Sequence, residues 1–73
     1  MSADDIIKIF EEFGILDTIL EELALIFNIF SKEDLSWYLT YMPQENILER
    51  LLGKEHPLNK KFGLLLNERI TAI

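Results

Sequence analysis

Apolar and polar positions alternate with a helical period along nearly the whole chain, and residues 15–30 form its most apolar stretch. Within them Asp17, Glu21 and Asn28 fall on one stripe, flanked by Thr18 and Glu22. Leu25 interrupts that stripe. A helix with so narrow a polar face needs covering from several sides, which predicts a central helix in a small bundle.

Upstream, Ser2-Ala3-Asp4-Asp5 has capping-box spacing, and its two acids suit the positive end of a helix dipole. Ile6, Ile9, Phe10 and Phe13 then recur at helical spacing, predicting a first helix over residues 3–13. Gly14 admits two readings. As a C′ glycine it ends that helix in a Schellman motif, with Ile15 folding back on Phe10 and Asp17 capping the next helix. Alternatively, one helix runs through it, because Ile6, Ile9, Phe13, Leu16, Leu20, Leu23, Phe27 and Phe30 keep an a/d register. The glycine and its hydrophobic successor agree with each other, so a break with a second helix over 16–30 is preferred.

Ser31-Lys32-Glu33-Asp34 repeats the capping spacing, with Phe30 and Leu35 placed as a hydrophobic staple. A third helix is expected over 32–42, with Leu35, Tyr38, Leu39 and Met42 inward, Trp37 and Tyr41 on a flank, and Ser36 and Thr40 pointing away. Pro43 suits the first turn of a fourth helix, over 43–52, closed by Gly53. Lys54-Glu55-His56-Pro57 reads as a loop. Residues 58–71 fit a fifth helix through Phe62, Leu65, Leu66 and Ile70, continuing toward Ile73. A hairpin around Asn67-Glu68 is the weaker alternative, since two-residue hairpins favour Asn-Gly. The expected fold is all-α, a single domain of four to five short helices.

Composition adds constraints. A core in a chain of 73 residues stabilises by only about 3–5 kcal/mol unless something reinforces it. There is no cysteine for a disulfide or thiolate site, and 49% of residues are hydrophobic, which is much for so small an interior. That excess points to a surface buried between chains. The net charge of −6 is uneven: residues 1–34 carry nine acids against two bases, and residues 35–73 four acids against five bases. This balance argues against nucleic-acid binding, which depends on Lys and Arg neutralising phosphates. The start of the chain is acidic where a secretory signal is basic, and no uncharged run approaches a membrane span of roughly 20 residues. A cytoplasmic protein without membrane association is expected.

No pattern carries catalytic chemistry. His56 is the single histidine, and a catalytic or metal-ligating histidine needs an orienting partner that the sequence does not supply. The acid pairs Asp4/Asp5, Glu11/Glu12 and Glu21/Glu22 are adjacent and diverge by about 100° on a helix, so they do not converge as an acid and base. No catalytic, cofactor or metal site is therefore assigned, and a non-enzymatic interaction module is expected, forming a homodimer and engaging a further protein. Leu25, Thr18, Ile29, Trp37 and Tyr41 are its candidate interface. A second reading is an acidic inhibitor or nucleic-acid mimic facing a basic target through Asp17, Glu21 and Glu22. A third is a small DNA-binding protein using the basic corner of Lys54, Lys60, Lys61 and Arg69.

Overall fold

The computed structural model describes residues 2–72, so Ile73, placed on the last apolar stripe, lies outside it. The fold is all-α. The helices are α1 (Ala3–Glu12), α2 (Leu16–Phe27), α3 (Lys32–Thr40), α4 (Ile47–Leu52) and α5 (Pro57–Thr71), with no strand among the described residues. They gather into two compact units, residues 1–42 and 43–73.

In the first unit α1 packs against both α2 and α3. Its start is a complete capping box: the Asp5 amide donates to Ser2 Oγ, and the Ser2 amide donates to Asp5 Oδ2, both at 3.3 Å. Ile6, Ile9 and Phe10 are buried as their spacing predicts, and Ala3 and Ile7 join them, widening the buried face. Gly14 does break the helix. Its φ is +71°, its amide donates to Glu11 O at 3.0 Å, and the Ile15 amide reaches back to Phe10 O at 3.1 Å. These are the two bonds of a Schellman motif, and Ile15 is buried beside them. A Cβ at Gly14 would meet no atom within 4 Å. Gly14→Ala is therefore expected to cost about 1–2 kcal/mol through left-handed backbone strain alone, measurable by urea unfolding.

The second helix corrects two expectations. Its N-cap is Ile15, which makes no side-chain capping bond, and Asp17 sits inside the first turn instead of capping it. It also stops at Phe27, short of residue 30. Asn28 adopts a left-handed conformation (φ 56°), and the amides of Asn28 and Ile29 both donate to Leu23 O. Asparagine visits that region more readily than other side chains, so it can end a helix as glycine does. The reversal turns Ile29 into the core, where it is 5% exposed.

At α3 the Ser31 hydroxyl accepts from the Asp34 amide at 3.2 Å, as expected. The Asp34 carboxylate reaches past the cap to the Phe30 amide at 3.3 Å. Leu35 is fully buried, but Phe30 is 69% exposed, so the outer half of the staple is open. Ser36 does not point away: its hydroxyl donates to Asp4 Oδ1 at 3.2 Å and ties α3 to α1. Lys32 makes a second tie, its ammonium 2.8 Å from Glu11 Oε1. That hydrogen bond, then the charge of Glu11, hold the Lys32 ammonium above lysine's ordinary pKa.

In the second unit α4 packs on α5. Helix α4 starts at Ile47, later than expected, because Asn46 is left-handed (φ 53°) and residues 43–46 cannot be helical through it. The turn is held by Arg50 Nε donating to Glu45 O at 2.9 Å and by Asn67 Nδ2 donating to Asn46 Oδ1 at 2.9 Å. Ile47, Leu48 and Leu51 are its buried side. Residues 57–71 are helical, not a hairpin. His56 is the N-cap of α5, its Nδ1 accepting from the Leu58 amide at 3.0 Å, with Pro57 in the first turn. Gly63, Leu66 and Ile70 form the inner face.

Candidate functional site

The first unit presents an apolar surface that its own helices do not cover. It begins where α2 ends. Leu25, Ile26 and Phe27 follow one another, so their side chains span roughly 200° of the helix circumference. All three are exposed, Leu25 at 88%. The last turn of α2 therefore projects from the helices around it. Phe30, just beyond, continues the exposure.

Helix α3 supplies the aromatic part. Leu35 and Leu39 take its buried side, which sends Trp37 and Tyr41 to the opposite side, where they are 68% and 73% exposed. Four residues apart, they meet one above the other, with ring centroids 5.1 Å apart. Tyr38, between them in sequence, turns toward α2, and its ring lies 5.4 Å from that of Phe27. Phe27, Trp37 and Tyr38 share a shallow hollow of about 240 Å³ with Asp34 at its edge. On its other side Trp37 borders a groove of about 670 Å³ between α1 and α3, lined also by Asp4, Lys8, Glu11 and Glu33. Trp37 thus stands as a ridge between an aromatic hollow and a charged groove.

Of the residues singled out in the sequence, Leu25, Trp37 and Tyr41 lie on this surface, and Thr18 is exposed on the outer side of α2. Ile29 does not belong, because the turn at Asn28 buries it. Asp17 and Glu21 are exposed on the outer side of α2, one to two turns before Leu25, whereas Glu22 is half-buried on its flank. Phe27 and Phe30, which the a/d register and the staple place inward, are exposed, and so is Ile26.

The basic corner is drawn out along α5, with more than two turns between Lys61 and Arg69. Arg69 lies nine positions after Lys60, about half a turn away around the axis. Lys60 is 3.3 Å from Glu55, and the Lys61 ammonium lies 5.1 Å from the centre of the Phe62 ring. The second unit has its own exposed apolar pair, Leu64 at 74% and Leu65 at 54%, on the outer side of α5.

The imidazole Nδ1 of His56 is engaged as a helix cap. Among the described residues no group of three or more His, Cys, Asp or Glu side chains is arranged to hold a metal ion. No helix among them is long and apolar enough to cross a membrane. Compared with protein-family models, curated proteins and solved structures, the chain has no significant match.

Proposed function

We propose that this protein is a small, non-enzymatic protein–protein interaction module of the cytoplasm that associates with itself. The observation that carries the reading is the uncovered apolar face of the first unit: the last turn of α2, Phe30, and the Trp37–Tyr41 pair. Contiguous apolar surface is costly to leave in water, and on small soluble proteins it marks contact with another macromolecule. Tyr and Trp are the residue types most enriched where binding energy concentrates. The run from Leu23 to Ser31 is also uncharged, so a second copy approaching the end of α2 meets no like charge there.

Light scattering after gel filtration tests this. The expected result is a mass of two chains at micromolar concentration, falling to one on dilution. A folded monomer at all concentrations would remove the reading.

A second reading draws on charge. Residues 1–42 hold nine acids against two bases, and one of those bases, Lys32, is tied to Glu11. Such a unit suits an acidic inhibitor that covers a basic target. Its binding would weaken steeply with salt, because exposed charges are screened beyond about 10 Å at 0.1 M. Equal affinity at low and high salt would sink it.

A further inference from the structure

The two units carry complementary outer helix faces, and the pattern of each specifies a partner. On α3, Glu33 precedes Trp37 by four residues, and Trp37 precedes Tyr41 by four. Residues at that spacing share one side of a helix, so acid, tryptophan and tyrosine form a single line with Asp34 beside it. All four are exposed. On α5, Lys60 precedes Leu64 by four and Lys61 precedes Leu65 by four. These too are exposed; Lys61, Leu64 and Leu65 lie on the side opposite the buried Gly63, Leu66 and Ile70, and Lys60 lies at its edge. Both faces therefore read charge first, then apolar surface one turn later, with opposite signs of charge.

We propose that the α3 face of one copy receives the α5 face of a second copy, with the two helices parallel. In that orientation Lys60 and Lys61 lie against Glu33 and Asp34, and Leu64 and Leu65, one turn on, lie against Trp37. Antiparallel docking would set the acids against leucines and desolvate them without partners, which is costly. A parallel α3-to-α3 contact would bring the acids of two copies together, and an antiparallel one would set them against aromatic rings without partners; both select against that pairing. The wider charge balance points the same way. The first unit has a net charge of −7, and residues 43–73 have four acids against five bases. Glu68 also lies on the α5 face; a turn beyond the leucines, it falls past the acids of α3 and comes level with Tyr41, whose hydroxyl can donate to it. The Lys60–Glu55 pair is highly exposed and so costs little to exchange. A stable dimer buries about 800 Å² on each partner. One helix against another covers only part of that, but in a two-fold dimer each contact occurs twice.

This inference rests on self-association and specifies its geometry. The test uses two double variants of the full chain, Trp37→Glu/Tyr41→Glu and Leu64→Lys/Leu65→Lys, examined by light scattering separately and mixed. Each alone lacks one apolar face in every copy and is expected to be monomeric. Mixed in equal amounts, they retain one intact α3–α5 contact and set the new glutamates against the new lysines at the other, and a two-chain species containing one of each is expected to reappear. Circular dichroism checks that each variant is folded. Alanine replaces the charged residue at the same positions wherever helicity falls. A mixture that stays monomeric, or either variant still associating alone like the parent, overturns the pairing while leaving self-association standing. A parent chain that is itself monomeric overturns both.

Discussion

Phe10→Ala is expected to unfold residues 1–42. Phe10 is fully buried on α1, the helix that packs on both α2 and α3, so every helix of this unit depends on the α1 face. Replacing a buried phenylalanine by alanine costs about 3–5 kcal/mol, part from lost transfer and part from the cavity left behind. The whole stability of a chain this size is of the same order. No cysteine is available to offset the loss. Far-ultraviolet circular dichroism at 25 °C should show much of the helical signal of α1, α2 and α3 gone. Phe13→Ala is the control: Phe13 is only half-buried, so its loss should lower the urea midpoint without abolishing the transition. A Phe10→Ala variant unfolding at the parent's midpoint would mean that α1 is not the centre of this unit.

The second large effect is a contrast between neighbours on α2. Leu23 is fully buried and Leu25 is 88% exposed. Leu23→Glu places a carboxylate in a core where, among the described residues, no polar side chain is buried to receive it, a cost of several kcal/mol that exceeds the available stability. Leu25→Glu stays in water and should alter folding stability by no more than about 0.5 kcal/mol. Its expected effect is on association, because it introduces charge into the uncharged end of α2. Circular dichroism and gel filtration together separate the two variants: the first loses helix, the second keeps helix and elutes later. If both behaved alike, α2 would not have one face for its own core and another for a partner.

That contrast shows how far periodicity reaches. Leu25 stands out in the sequence because it breaks a polar stripe, and among the described residues it is the most exposed large apolar side chain. The a/d register includes Leu20, yet Leu20 is half-buried, while Ile19, outside that register, is fully buried. The starts of α1 and α3 were legible because capping is local. Ser2 and Ser31 accept from amides three residues on, and both ends of that bond lie within one turn. The stop at Gly14 was legible for the same reason, since its two bonds span only five residues.

Other features were decided by tertiary structure. Asn28 and Asn46 fit a helix or a left-handed turn about equally well in the sequence, and the surrounding packing selects the turn. At Asn28 the chain reverses to bury Ile29, and this removes Ile29 from the interface while leaving Ile26, Phe27 and Phe30 in solvent. Ser36 reads as an outward residue until α1 is placed beside it, when its hydroxyl meets Asp4. Trp37 and Tyr41 sit on a flank in the sequence pattern. Only the burial of Leu35 and Leu39 against other helices decides that the flank faces water. By itself, the sequence determined an all-α fold, its main helix starts and the break at Gly14, because these depend on bonds within a single turn. The tertiary structure decided which apolar residues remain uncovered, because that depends on how much of each helix its neighbours can reach.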